Sequence, residues 1–578
     1  MNDEIPRQIE ARRGFSIFYR GKNLLSLIDP IAQAERIAGS VPPKTRTLYF
    51  CPSPLFGYGL SKLLAALNAD SAILCVETDE KLMALSLEAM EKSLLLHPRL
   101  RYIRTRNAAA LCAFVRETWG SRRFRRLEII RLSGGWQLDA PLYEALAAAL
   151  RRDIATDWGN AMTLVKLGRR YIRNAFRNMA LIPDTPTLGG LSFGGRPVLV
   201  LGAGPSLDGL LEGLLVNFGE KFKENAGRPF AVICVDTCLL ALLSRNIKPD
   251  LVVALESQHW NLRDFIGAGS QNIPLAMDLS ALPATREVLG QVFLFVTPWT
   301  PLRIFERLRE RELLPETLAP LGSVGLSAAA LALRISSGPV IVGGIDFSFT
   351  LDRFHARNTP GHLHGLNHHN RLQPLITPAA FRPGVFSAQS KSGERVLSDP
   401  AMKNYRELFE QEFSREERLL DITGTGLPLG IKTLSQEAAF TLLQDAPAAI
   451  GGGIPLTAAS EHSPKSEAEG NSAKKRRRSL ETLIRRERES LITLRNILTG
   501  KNPAISPEET EKLLDGADYL WAHFPECAGA GGRHPPVTDI SFLKRIRTEI
   551  DPFIGIFDRL LRELSAGPYR RTGKDNES

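Results

Sequence analysis

Residues able to do chemistry collect where apolar runs of this sequence stop. Pro197-Val-Leu-Val-Leu201 runs into Gly202-Ala203-Gly204-Pro205-Ser206, and Leu207 to Leu215 follow with helical spacing. A strand, a glycine turn and a helix start bring backbone N–H groups and a positive helix end together, an arrangement that suits a phosphate. Gly202 and Gly204 permit close backbone approach, and Ser206 either caps the helix or donates to an oxygen. The same residues also read as a tight strand-to-helix turn without a ligand. No Gly-Lys-Ser/Thr follows, which excludes a Walker loop, and Leu207 stands where the dinucleotide fingerprint needs its third glycine.

Polar groups recur at the ends of later apolar runs. The run from Pro229 closes on Asp236-Thr237, that from Leu251 on Glu256, and that from Gly338 on Asp346. Such runs are expected of parallel strands covered on both faces. In an open α/β sheet their C-terminal ends line the ligand crevice. Gly322-Ser323 opens an Ala-rich helical stretch. Beyond Asp346 lies a segment without clear periodicity that carries Arg353, His355 and Arg357, then His362, His364, His368 and His369. Five of the ten histidines fall here, and long irregular segments often serve as lids or substrate loops. The paired histidines invite a metal reading, yet no strand or helix is legible to fix them and no Cys or carboxylate partner stands nearby. The expectation is exposed or loop-packing histidines and no metal site.

The elements that position these residues follow from an ordinary α/β composition. The chain has 578 residues, 43% hydrophobic and 24% charged, enough for several domains. A net charge of +10 suits phosphorylated small molecules, nucleic acid or anionic lipid without selecting among them. The six cysteines show no CxxC spacing, as expected of thiols in a reducing compartment. The N-terminus lacks the apolar core of a secretory signal, and no apolar run approaches the ~18–20 residues of a membrane span. The expectation is a soluble, cytoplasmic protein without a transmembrane segment.

Residues 1–160 read as a Rossmann-like domain. A strand from Arg46, a Gly57-Tyr58-Gly59 turn, a helix from Leu60 and a strand ending in Glu77-Thr78-Asp79 occur in that order. Those acids either meet a ribose hydroxyl or belong to a domain that packs or recognises a partner. A basic helical segment at 161–180 is expected to expose its arginines. A second, central α/β domain spans 161–445. Gly, Ala, Ser and Pro, then Lys474-Lys-Arg-Arg-Arg478, mark 446–478 as a disordered basic linker. Residues 479–578 read as a helical domain.

The segments GAGPSLDGL, AVICVDTCLLALLSRNIKPDLVVALES, LGSVGLSAAALAL and VIVGGIDFSFTLDRFHA resemble, in order and spacing, the motility-associated-factor (Maf) flagellin glycosyltransferases. The central domain of that family is also related to the MptE-like pterin diphosphokinases. CPSPLFGYGLSKLL is similar to the turn of the family's first Rossmann-like domain. The resemblance implies two Rossmann-like domains, the central one similar to sialyltransferases that use CMP-linked sugars, plus a C-terminal helical module. In those sialyltransferases an Asn precedes Gly-Pro-Ser where this chain has Ala203, and another Asn ends the second strand near Asp236. Glu256 stands where Maf relatives commonly carry Asp.

The resemblance further implies transfer of a nonulosonic acid, pseudaminic or legionaminic in type, from a CMP-sugar to Ser or Thr of flagellin. It implies no cofactor beyond the donor and no nucleic-acid partner. Donor binding would fall to Gly202, Ala203, Gly204, Pro205, Ser206, Asp236, Thr237, Glu256, Gly322 and Ser323. His355 matches the family's His-Ala after Gly-x-Asp and is expected as the base for the acceptor hydroxyl. Asp346 would hold the loop or the acceptor, or merely cap a turn, and Arg353 and Arg357 would neutralise the departing phosphate. Two other readings stay open. One is pyrophosphoryl transfer with Mg²⁺ on Asp236, Glu256 and Asp346. The other is a non-catalytic flagellin-binding scaffold.

Overall fold

Strands buried along their whole length need cover on both faces, and two parallel sheets here have it. The computed structural model describes residues 5–120, 122–223, 228–372, 378–444, 467–501, 506–528 and 534–567. It divides into one unit of Met1–Gly168 with Leu520–Phe542 and a second of Arg169–Tyr519 with Leu543–Ser578.

In the first unit, β1 (Arg7–Glu10), β2 (Phe15–Tyr19) and β3 (Lys22–Asn23) form an antiparallel meander. The strands β4 (Thr47–Pro52), β5 (Ala72–Glu77), β6 (Leu100–Arg104) and β7 (Arg126–Ile129) form a parallel sheet in the order β6-β5-β4-β7. Alternation sends Leu48, Phe50, Leu74 and Val76 into one core, with Leu111, Val115 and Leu146. Tyr49, Cys51, Ile73 and Cys75 enter the other, against Leu60, Leu63 and Leu64.

The C-terminal ends of β4 and β5, where a Rossmann-like sheet would take a ligand, are filled by the chain itself. Leu55 and Phe56 pack into one cluster with Ile17 and Tyr19 of the meander and with Leu24 and Leu25 just after it. Gly134 N donates to Leu24 O at 2.7 Å, and Ser133 Oγ to Ser53 O at 2.5 Å. Glu77, expected at a ribose, is 1% exposed and takes bonds from Ser53 Oγ at 2.7 Å, Tyr143 Oη at 2.8 Å and Thr78 N at 2.8 Å. Asp79 accepts from Tyr19 Oη at 3.0 Å. Gly59 of the Gly-Tyr-Gly turn has φ 82°, and a Cβ there would sit 2.7 Å from Ala34 O, so this glycine answers to internal packing.

The second unit holds nine parallel strands: β8 (Val198–Leu201), β9 (Ala231–Val235), β10 (Leu251–Ala254), β11 (Leu275–Asp278), β12 (Val292–Val296), β13 (Glu316–Thr317), β14 (Val340–Gly343), β17 (Leu419–Ile422) and β18 (Thr433–Leu434). A hairpin of β15 (Phe386–Gln389) and β16 (Arg395–Ser398) is inserted after β14. The sheet order is β13-β12-β11-β10-β9-β8-β14-β17-β18. The chain builds outward from β8 to one side, then returns past it to lay β14 on the other. The order therefore reverses between β8 and β14, where an open α/β sheet leaves its crevice. The helix Val324–Ile335 packs Leu326, Ala328, Ala329, Leu331 and Ala332 into the interior, its alanines allowing close approach to the sheet.

Several boundaries differ from the sequence reading. The expected division at 160/161 falls inside one helix, Ala140–Asn178, which runs from the first unit into the second. Its Arg169 and Arg173 are not merely a solvated face, since both bind Glu549, itself 1% exposed. Residues 467–478, expected in a disordered linker, belong to the helix Glu467–Leu498, while 446–466 lie outside the described residues. Helical pairing explains this: Arg477 binds Asp184 and the carbonyls of Leu564 and Gly567. Residues 479–578 form no unit of their own, because 520–542 join the first unit and the remainder joins the second.

If the meander is structural cover, Leu24→Ala should remove about 2–5 kcal/mol of stability from the first unit. Equilibrium denaturation, followed with a probe in that unit, measures this directly.

Candidate functional site

At the switch point, Gly202 N donates to Gly343 O and Gly204 N to Gly344 O, each at 2.8 Å. Ser206 N donates to Asp346 Oδ2 at 2.7 Å and Ser206 Oγ to Asp346 Oδ1 at 2.5 Å. Leu207 N turns back to Gly204 O at 3.0 Å. The glycine turn is thus not an open phosphate cradle, because these amides already have internal acceptors. An internal carboxylate occupies the positive end of the helix Leu207–Phe218. The glycines are explained the same way. A Cβ at 204 would lie 2.5 Å from the Asp346 carboxylate, and one at 202 would strike Gly344 O.

Asp346 is 3% exposed with both oxygens engaged, so it positions the loops and does not meet an acceptor. Burial raises its pKa, while the Ser206 bonds and the Lys391 charge oppose that rise. Lys391 in turn forms a buried pair with Asp421 at 2.8 Å.

The loop after Asp346 folds back onto the turn. Ala356 N donates to Ala203 O at 2.9 Å. Arg353, expected at the departing phosphate, instead binds Asp208 at 2.6 Å, and Arg245 binds the same carboxylate at 3.2 Å. The Arg357 amide also reaches Asp208, at 3.1 Å, and leaves its side chain exposed. His355 is thereby set against Ala203. Burial lowers its pKa to about 4, the Ala203 carbonyl opposes that shift, and the nearby Arg263 charge adds to it. The imidazole is neutral at pH 7.

The other expected donor-binding residues lie along the same C-terminal edge. Asp236 is buried and accepts from Thr237 N at 2.8 Å and Asn261 Nδ2 at 2.9 Å. Asn261 Nδ2 also reaches Asp264 at 2.9 Å. Burial, then the Asp264 charge, pushes Asp236 up to about 7, and burial pushes Asp264 up to about 6. Glu256 is half-buried and accepts from Gln258 N at 2.9 Å. Burial, then the Glu256 charge, pushes Tyr171 up to about 12. Burial, then Asp399 and Glu256, raises Tyr405. A Cβ on Gly322 would lie 3.3 Å from the Tyr405 ring, which places the start of the helix Val324–Ile335 beside this group. Ser323 makes no side-chain cap there, so its side chain leaves the first-turn amides unsatisfied. The Ile345 side chain lies 3.0 Å from a Cβ at 202 and 3.5 Å from one at 325, joining both halves of the crevice.

Residues 360–368, read as irregular, form a helix, Pro360–His368. It brings His364 and His368 together with ring centres 4.1 Å apart and the rings tilted by 37°, one helical turn in sequence. His362 Nδ1 accepts from Asn358 N at 3.2 Å. Among the described residues no three His, Cys, Asp or Glu side chains are grouped to hold a metal. The three carboxylates considered for Mg²⁺ do not converge. Arg263, Asn261 and Asp264 were missed because Gln258 to Ile266 wind as irregular 3₁₀ turns without a readable period. Asp208, only two residues past Ser206, was the more findable omission.

Gly204→Ala should cost about 1–3 kcal/mol of stability, since the buried carboxylate must move; chemical denaturation reads it. The Asp236–Asp264 pair gives a pH signature. Asp236 normally titrates at 3.8 and here at about 7, so the folded state holds more protons between these values and stability falls as pH rises through them. Asp236→Asn should therefore gain on wild type by on the order of 4 kcal/mol between pH 4 and pH 8, measured by urea unfolding at both.

Residues 169–352 match the family described as 6-hydroxymethylpterin diphosphokinase MptE-like, beginning at the residue where the second unit begins. A Treponema pallidum (strain Nichols) protein, described as uncharacterized, is 28% identical over 97% of this chain and 96% of its own length. The Maf glycosyltransferase from Magnetospirillum magneticum AMB-1 superimposes with a TM-score of 0.54, covering 97% of this chain and 95% of that one at 15% identity. Residues 169–352 thus match an MptE-like family, and the chain shares its overall fold with the Maf glycosyltransferase.

Proposed function

We propose that this protein is a cytoplasmic glycosyltransferase that moves a nonulosonic acid of pseudaminic or legionaminic type from a CMP-sugar to Ser or Thr hydroxyls of flagellin, as flagellar assembly and motility require. The observation that carries this reading is His355, held against the Ala203 carbonyl at the switch point by the Ala356 amide bond and the Arg353–Asp208 pair. The Maf-like fold supports it.

In this reading the acceptor oxygen attacks the anomeric carbon as the bond from that carbon to the CMP phosphate oxygen breaks. CMP leaves with the electron pair, and His355 takes the hydroxyl proton. A pKa of about 4 makes the imidazole a weak base, yet keeps it unprotonated across the neutral range. A ring N–H aimed at Ala203 leaves the other nitrogen free to accept. The start of the helix Val324–Ile335, which Ser323 does not cap, and the exposed Arg263 are the groups suited to the phosphate and the sugar carboxylate. Half-buried Glu256 suits sugar hydroxyls, and Asp346 acts only by holding the loops. The donor phosphate accordingly moves from the 202–206 turn to the start of the helix Val324–Ile335.

The MptE-like match favours pyrophosphoryl transfer as a second reading, with Mg²⁺ carried in by the nucleotide. Calorimetric titration with CMP, and separately with ATP plus Mg²⁺, separates the two, and binding of neither supports the scaffold. With flagellin and a CMP-nonulosonate, His355→Ala should keep CMP affinity within a few-fold and slow transfer about 10²–10⁴-fold, read by intact mass of flagellin. Undiminished transfer by that variant removes His355 as the base.

A further inference from the structure

The N-terminal unit has its usual crevice filled, but a cavity of about 740 Å³ opens at the opposite edge of its sheet, where the strands begin. Arg46 stands just before β4, Arg99 and Arg101 at the start of β6, and Arg123 ahead of β7, and all four line this cavity. We propose that this cavity is a binding site for a small metabolite bearing a phosphate or carboxylate, independent of the site at His355.

Among the described residues none of the four guanidiniums is in a salt bridge. Arg99 is aimed by the carbonyls of Leu64, Leu67 and Asn68 at 3.0–3.2 Å, and Arg101 by those of His97 and Leu100 at 2.8 Å. Carbonyls orient a guanidinium without cancelling its charge. Among the described residues the buried Nε of Arg123 has no hydrogen-bond partner. A buried donor left unmatched is costly, and an oxyanion would satisfy it. Arg46 holds φ at 49°, a left-handed backbone unfavourable for a residue with a Cβ, and its guanidinium lies over the Trp158 ring at 5.7 Å. Trp119, whose Nε1 donates to Pro98 O at 3.2 Å, supplies an apolar wall.

Asp70, Glu117 and Glu526 also line the cavity. Cations outnumber these carboxylates by only one, so the wall suits a ligand of small negative charge that also brings hydrogen-bond donors, as a phosphorylated or carboxylated sugar does. A polyanion such as nucleic acid would meet the acids. Neither the glycosyltransferase reading nor its failure bears on this site.

The test is calorimetric titration of the full chain with inorganic phosphate and, in a second arm, with citrate, at fixed ionic strength. Saturable binding of at least one anion is expected, and the arm that binds tells phosphate from carboxylate recognition. Arg123→Gln should weaken it tenfold or more, whereas His355→Ala should leave it unchanged. Arg46→Gln serves as the second variant if Arg123→Gln does not fold. Absence of saturable binding in both arms, or binding that Arg123→Gln and Arg46→Gln both retain, overturns the proposal.

Discussion

The second unit depends on one carboxylate. Asp346, at the end of β14, places both oxygens on the amide and hydroxyl of Ser206, at the end of β8. These strands are neighbours in the sheet although about 140 residues apart in sequence, so the contact closes the switch point. A helix N-terminus favours an anion, and the helix Leu207–Phe218 receives an internal one. The consequences spread outward. Gly204 and Gly426 have no side chain because Asp346 fills the space a Cβ would take, at 2.5 and 2.7 Å. Leu427 N donates to Asp346 O at 2.8 Å, fastening the loop after β17 to the same point. Lys391 then faces both Asp346 and Asp421, so a lone buried cation moderates two buried acids.

This arrangement sorts the edge of the sheet into groups that build and groups that can act. Burying a carboxylate is costly unless hydrogen bonds or a cation compensate it. Asp278 has Ser280 and Thr297, Asp346 has Ser206, and Asp421 has Lys391. Asp236 and Asp264 share the Asn261 amide, Asp236 adds the Thr237 amide and hydroxyl and Asp264 the Arg263 charge, yet burial and then the Asp264 charge keep Asp236 raised to about 7. Less committed groups remain at His355, Arg263, Glu256 and Ser323. The Gly202 turn and the start of the helix Val324–Ile335 are brought together at the Ile345 side chain.

Most of the parallel strands were legible because an apolar run bounded by Gly, Pro or acid has few other meanings, whereas the half-polar β6 and the two-residue β13 were not. The placement of Asp236, Glu256 and Asp346 at strand ends was legible for the same reason. What each acid does was not. The glycines at 202 and 204 suit a phosphate and an internal carboxylate equally well, and only the fold shows which neighbour stands there. The meander at 7–23 is too short and too mixed in polarity to announce itself. The histidine helix opens on a proline and contains Gly361 and Gly365, which mask its period. The basic run at 474–478 reads as solvated by composition, whereas Arg477 is tied to Asp184, nearly 300 residues earlier.

Both units start from the same topology and use its ends differently. In the second, loops after β8 and β14 are tied to each other, and the crevice above them keeps a neutral imidazole and an uncapped helix start. In the first, the corresponding loop turns Leu55 and Phe56 inward beneath the meander, and Glu77 is absorbed by Ser53 and Tyr143. A sheet end sealed by apolar packing has no route to a ligand, because opening it would expose Leu24, Leu25, Leu55 and Phe56 to water. Any binding within that fold must use a different surface. Arg46, Arg99, Arg101 and Arg123 gather at the opposite sheet edge, and among the described residues none of them is in a salt bridge.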